Sequence, residues 1–179
     1  MGGRASRAAR RAPPTGAVLD RLILDTTILI AAERGGTSLD EQIDDEDDVA
    51  IAAVTAAELL VGELLATGSK RRAKRRAFIN DLLATVPVEP YDLAVARAHA
   101  ELLVHTRKTG TPRGAHDLQI AATARVHRRA VVTADSAGFD GLPGVTLRHP
   151  NPTSTPVGRR SARHRPTARD APPSGAPRT

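Results

Sequence analysis

The 179-residue chain has no cysteine and no tryptophan, and its aromatic residues are one tyrosine and two phenylalanines. Without thiols it forms no disulfide and no thiolate zinc site. With so few rings, stacking bases on aromatic platforms is not how it would hold nucleic acid. No apolar stretch approaches the ~20 residues of a membrane span. The twin arginine near the start runs into Ala-Pro-Pro-Thr-Gly rather than an apolar signal core, so the expectation is a cytoplasmic protein without a membrane partner. There is no GxxxxGK[ST] loop, no GxGxxG after a strand and no GxSxG elbow, which leaves nucleotide hydrolysis, dinucleotide binding and serine hydrolysis without support.

What is present is an uneven distribution of charge. The net charge is +6, but residues 1–12 carry four arginines and no acid, and residues 149–179 carry six arginines and one acid. Of 26 basic and 20 acidic residues, 16 and 19 remain between the ends, a slight acidic excess. Both ends are rich in Pro, Gly, Ser, Ala and Arg and lack the apolar content to order themselves. Residues 1–18 read as a disordered basic tail, 149–179 as a disordered Pro/Arg-rich tail, and 19–148 as one folded domain.

Within that domain short aliphatic runs alternate with helical patterns. Strands are predicted at 21–24, 49–52, 86–88, 130–133 and 145–147, and helices near 26–33, 38–46, 55–67, 70–84, 91–109 and 115–128. This alternation predicts an α/β fold, a parallel sheet of about five strands with helices on both faces. Ligands of such sheets bind outside the carboxyl ends of the strands, and the first and fourth strands are expected to be neighbours at the switch point.

Carboxylates occur where that rule places a site. Asp25 stands between strand and helix in RLILDTTILI, Glu58 lies beyond the second strand in TAAELLVG, Asp117 opens the helix GAHDLQIAATA, and Asp135 follows the fourth strand in VVTADSAGF. Each also has a structural reading. Asp25, Asp117 and Asp135 could cap helices or turns, and Thr55-Ala-Ala-Glu58 matches a capping box. Against capping, helical spacing puts Glu58 with Val61, Gly62 and Leu65, and Asp117 with Ile120, Ala121 and Ala124. A carboxylate on a buried stripe is costly unless a cation offsets it, and no Lys or Arg lies one turn from Glu58. Two carboxylates ~5 Å apart repel by ~3 kcal/mol at an effective dielectric near 20. A hard divalent cation such as Mg²⁺ or Mn²⁺ suits an all-oxygen set, and water on such an ion can serve as nucleophile in phosphodiester hydrolysis.

Taken in order, these four motifs resemble the PIN-domain ribonucleases, and among them the VapC toxins of bacterial toxin–antitoxin pairs, over about residues 21–148. The resemblance implies a three-layer PIN-like fold for the catalytic domain. It implies Asp25, Glu58, Asp117 and Asp135 as catalytic, metal-binding acids, with Thr27 and Thr133 as supporting hydroxyls. It also implies Mg²⁺-dependent (or Mn²⁺-dependent) cleavage of RNA, a cognate VapB-type antitoxin and a homodimer. An antitoxin helix is expected against the aliphatic segments TAAELLVGELLA and AFINDLLATV.

KRRAKRR supplies Lys70, Arg71, Arg72, Lys74, Arg75 and Arg76. The run is either a solvated helical face or a phosphate-holding strip for RNA, and Arg113 is a further RNA contact by the same charge argument. His116, beside Asp117, either meets a phosphate or satisfies a structural hydrogen bond. Two other functions compete: a non-catalytic RNA- or protein-binding module on the same fold, and a phosphoacceptor receiver domain. The second needs an acid pair after the first strand and a late lysine, whereas LDTT holds one acid and no lysine follows Lys108.

Overall fold

A computed structural model describes residues 20–36, 39 and 43–149. The two tails and residues 38 and 40–42 of the predicted 38–46 helix lie outside the described residues. The elements are β1 (Arg21–Leu24), α1 (Thr26–Glu33), β2 (Asp48–Ala52), α2 (Ala53–Leu64), α3 (Ser69–Thr85), β3 (Val88–Glu89), α4 (Leu93–Thr109), α5 (Ala115–His127), β4 (Ala130–Val132), a 3-10 turn (Ser136–Gly138) and β5 (Leu147–Arg148). The strands form one parallel sheet in the order β3-β2-β1-β4-β5. The chain therefore moves outward from β1 to β3, then returns to the other side of β1. That order departs from the 2-1-3-4-5 arrangement of flavodoxin-like receiver folds, so the receiver reading is set aside.

The period of two along each strand divides the sheet between two cores. Leu22, Leu24, Ile51 and Val132 point to one face, where they meet Ile28 and Leu29 of α1, Leu59 of α2, and Ile79 and Leu82 of α3. Ile23, Ala52 and Val131 point to the other and meet Val95, Ala98 and Leu102 of α4, Leu118 and Ile120 of α5, and Phe139. All of β1 beyond Arg21 is fully buried, as a strand covered on both faces must be. At roughly 1.5–3 kcal/mol per large aliphatic side chain, these two layers supply the main stabilising term.

Most predicted elements begin or end a residue or more elsewhere, and four of the differences have consequences. Ile43–Asp47 form a turn, where Asp47 accepts the Asp44 N–H (3.1 Å); short acidic side chains compete with helical backbone bonds in this way. Val86 closes α3 by donating to the Leu82 carbonyl (2.8 Å), so β3 starts after Pro87, whose carbonyl still accepts from Ile51. β5 is shifted to Leu147–Arg148. Helix α2 begins at Ala53, directly after β2, two residues before its predicted start. The last shift bears on the site.

At the amino ends of the strands, acids meet arginines. Asp48 opens β2 and is bound by Arg21 (3.0 Å) and Arg129 (3.0 Å). Arg129 is buried and also donates to the Asp48 carbonyl (2.7 Å) and the Glu89 carboxylate (2.9 Å). The Arg129 hydrogen bond, followed by that of Arg21, holds the Asp48 carboxyl below its ordinary value.

Candidate metal centre

The switch point between β1 and β4 is closed by the Asp25 N–H, which donates to the Val132 carbonyl (3.0 Å). This places the Asp25 side chain at the carboxyl ends of both central strands. It caps α1, its Oδ1 accepting the Thr26 N–H (2.7 Å). Its Oδ2 accepts the hydroxyls of Thr27 (2.6 Å) and Thr133 (2.8 Å). The carboxylate is only 5% exposed, yet every donor to it is neutral. The capping reading holds for one oxygen, which serves the helix, while the other is fixed by hydroxyls. Hydrogen bonds to a charged acceptor contribute about 1.5–3 kcal/mol each, enough to hold a partly desolvated carboxylate without a countercharge. Thr133 Oγ1 also accepts the Asp135 N–H (3.0 Å), which ties the fourth acid's backbone to the first acid's side chain.

Glu58 arrives from α2. With the helix starting at Ala53, Thr55 lies inside the first turn and its buried hydroxyl has no partner, so the capping box does not form. Glu58 instead accepts the Thr26 hydroxyl and meets His116 Nδ1 at 2.5 Å. The expected buried stripe is also overturned. Val61 and Leu65, which share the Glu58 face, are 52% and 75% exposed, and the buried side of α2 is Thr55, Leu59 and Glu63. Glu58 sits at the rim of the core, because the earlier helix start and the sheet contact of Leu59 turn that face outward. Thr26 and His116 are contacts the motifs did not assign. Their signal was adjacency, each lying next to an acid in LDTT and AHD.

Asp117 is the third residue of α5 and is half-buried, with Ile120, Ala121 and Ala124 below it in the core. Burial pushes its carboxyl above the ordinary value of 3.8, and the Asp25 charge pushes in the same direction. The Gly114 N–H opposes this by hydrogen bonding to the carboxylate, and Glu58 and Asp135 each add a smaller upward push. All three other acids therefore act on Asp117 through space. Asp135 is exposed and caps the 3-10 turn by accepting the Ala137 N–H (3.1 Å).

Among the described residues, no Lys or Arg pairs with any of the four acids. Among the described residues no three acids are gathered to ligand distance; each of the four carboxylates is turned to a neutral donor or to His116. Four carboxylates from separate elements, at one end of the sheet and without thiols, suit a hard divalent cation.

The basic run divides into two sets. Arg75 binds the Glu33 carboxylate (2.9 and 3.0 Å) and the Gly62 carbonyl (2.6 Å), and Arg76 binds Glu63 (2.6 Å). Arg72 donates to the Leu64 and Ala66 carbonyls at the end of α2 (3.3 and 3.2 Å). These three arginines serve the α2–α3 packing and the carbonyl end of a helix. Lys70, Arg71 and Lys74 line an open hollow with Thr67, Gly68 and Ser69, and among the described residues none of the three has an acidic partner. Arg113 donates to the Asp140 carbonyl (3.0 Å) rather than to Asp117.

A PIN domain family model matches residues 22–144. The chain is 38% identical over 127 residues to ribonuclease VapC5 of Mycobacterium tuberculosis (strain ATCC 25618 / H37Rv), covering 70% of this chain and 92% of that protein. It is 30% identical over 126 residues to ribonuclease VapC1 of Rickettsia felis (strain ATCC VR-1525 / URRWXCal2), covering 70% and 93%. The solved structure of VapBC-5, a member of the VapBC family of toxin-antitoxin systems from Mycobacterium tuberculosis, aligns with a TM-score of 0.59 at 33% identity, covering 71% of this chain and 96% of that one. VapBC2 from Rickettsia felis, bound to a promoter DNA fragment, aligns at 0.63 with 19% identity over 72% and 97%, a likeness of fold.

The raised Asp117 carboxyl has a signed consequence. Its ionised form is less favourable in the folded state, so stability is lost as pH rises through its unfolded and then its folded value. Asp117→Asn, which keeps an oxygen for the Gly114 N–H, is expected to be more stable than the parent at neutral pH without divalent ions. The advantage should vanish below the ordinary carboxyl range. Urea unfolding from pH 3 to 7 measures this, and an advantage that does not shrink at low pH would contradict the assigned repulsion.

Proposed function

This chain belongs to the PIN-domain family, and on that premise we propose that it is a metal-dependent endoribonuclease, the toxin of a type II toxin–antitoxin pair acting in the cytoplasm. The observation that carries the reading is the placement of Asp25, Glu58, Asp117 and Asp135 at one end of the sheet, with no lysine or arginine pairing any of them among the described residues. Asp25, Glu58, Asp117 and Asp135 would hold Mg²⁺, or Mn²⁺ in its place. When bound, such an ion supplies positive charge to the phosphate and acidifies water for attack on phosphorus.

The chain's own residues set the stage for that reaction. Thr27 and Thr133 hold Asp25 in one orientation, and Thr133 fixes the backbone of Asp135 beside it. Thr26 and His116 hold Glu58 from two different helices. RNA would approach an acidic site, so cations away from it must hold the flanking phosphates. Among the described residues Lys70, Arg71 and Lys74 are the members of the run without an acidic partner, and Arg113 lies beside the turn that follows Asp135.

A toxin of this kind needs a VapB-type antitoxin. Helix α2 offers Leu60, Val61, Leu64 and Leu65, 42–75% exposed, beside Glu58. The other expected segment contributes little, because Ile79 and Leu82 of α3 turn into the core. An apolar helix on α2, with a cation inserted among the acids, would block both the metal and the RNA. A homodimer is part of the same proposal. Among the described residues, no helix is long and apolar enough to cross a membrane.

Asp25→Asn and Asp117→Asn are each expected to abolish Mg²⁺-dependent RNA cleavage, read by RNA-end mapping after induction, while the fold survives. Full cleavage by either variant would remove that acid from the mechanism. A wild type that binds Mn²⁺ and RNA but cuts nothing would favour the binding-module alternative.

Lys70, Arg71 and Lys74 changed together to Glu should weaken RNA binding and flatten its salt dependence by about one phosphate contact per residue engaged. An unchanged slope would make them a solvated face. For the partner, Leu64→Asp with Leu65→Asp should weaken binding of the small protein encoded beside this chain by at least about tenfold, the scale of a truncated interface anchor. Equal affinity in calorimetric titration would remove α2 from that interface.

A further inference from the structure

Two glycines approach the Asp117 carboxylate from different parts of the chain. Gly114 leads into α5 and Gly138 ends the 3-10 turn after β4. Neither backbone demands glycine. Gly114 has φ −57° and ψ 142°, and Gly138 is not among the positive-φ residues, so any L-residue could adopt either conformation. The obstacle to a side chain is Asp117 itself. A Cβ on Gly114 would lie 2.6 Å from Oδ2 and 3.1 Å from Cγ, and one on Gly138 would lie 2.8 Å from Oδ2 and 2.9 Å from Cγ. Contacts under 3.0 Å are closer than real Cβ atoms make, so the carboxylate would have to move.

We propose that Gly114 and Gly138 are positioning residues, a cradle that sets the orientation of the Asp117 carboxylate toward Asp25, Glu58 and Asp135. The cradle serves position rather than folding. The atoms in the way are the far end of a side chain with two torsions, which can swing aside without disturbing backbone. A methyl group at either glycine would thus cost the fold little, and alanine limits the unfolded chain more than glycine does. For the site the same swing is large. Ligating groups work within about 0.5 Å of their productive geometry, and a misplacement of 1 Å can cost about a hundredfold in rate.

The proposal rests on the metal-site reading, and the experiment separates the two. Mn²⁺ binding is measured by electron paramagnetic resonance, and melting without metal by circular dichroism, for the wild type, Gly114→Ala, Gly138→Ala, Asp117→Ala and the double variant Gly138→Ala with Asp117→Ala. Each glycine variant is expected to bind Mn²⁺ about 10- to 100-fold more weakly, the usual effect of disturbing the groups that orient a metal ligand, with metal-free melting unchanged. The double variant is expected to melt with Asp117→Ala, since no carboxylate remains to be displaced. A wild type that binds no Mn²⁺ would overturn the metal reading. Wild-type affinity in both glycine variants would overturn the cradle alone. A double variant less stable than Asp117→Ala would overturn it too, by showing that Gly138 serves the turn.

Discussion

Four carboxylates at the carboxyl ends of β1 and β4, with no lysine or arginine paired to them among the described residues, are the constraint around which this protein is arranged. Burial, followed by the charges of the other acids, raises the Asp117 carboxyl, a cost to a domain that is stable by only about 5–15 kcal/mol. The two aliphatic layers on either side of β1 offset it. Neutral donors do the rest: threonine hydroxyls on Asp25 and Glu58, and backbone N–H groups on Asp25, Asp117 and Asp135. Such donors orient carboxylates without neutralising them, which suits the divalent ion proposed for this site.

The same residue type behaves oppositely at the other end of the strands. Asp48, met by Arg129 and Arg21, has its carboxyl lowered. Asp117, met by burial and by other acids, has its carboxyl raised. The arginines are placed selectively. Arg129 joins the start of β2 to the end of β3, while Arg72, Arg75 and Arg76 bind α3 to α2 and α1. Within the Lys70–Arg76 run three arginines are thus committed to the fold, and among the described residues Lys70, Arg71 and Lys74 have no acidic partner.

Much of this could be read along the chain. Leu22-Ile23-Leu24 announces a strand buried on both sides, and Gly110, in the left-handed conformation at the end of α4, stops a helix whose last turn is basic. The order of strands and helices carried the parallel sheet, and the acids after β1 and β4 carried the switch point. The errors were local competitions. Asp47 captured a backbone N–H that a helix would have used, Val86 stayed with α3, and α2 began before its apparent threonine cap.

The sequence by itself determined the periodicities, the aliphatic layers and the identity of the four acids, because each is encoded within a few consecutive residues. Only the tertiary structure decided their partners. Glu58 meets His116 across 58 residues of sequence, Arg75 meets Glu33 across 42, and Thr133 meets Asp25 across 108. It also decided that the Glu58 face of α2 points outward, and that Gly114 and Gly138 stand against one carboxylate. Hydrogen bonds, charge repulsion and steric exclusion act over a few ångströms of space, and only the folded chain brings such distant residues that close.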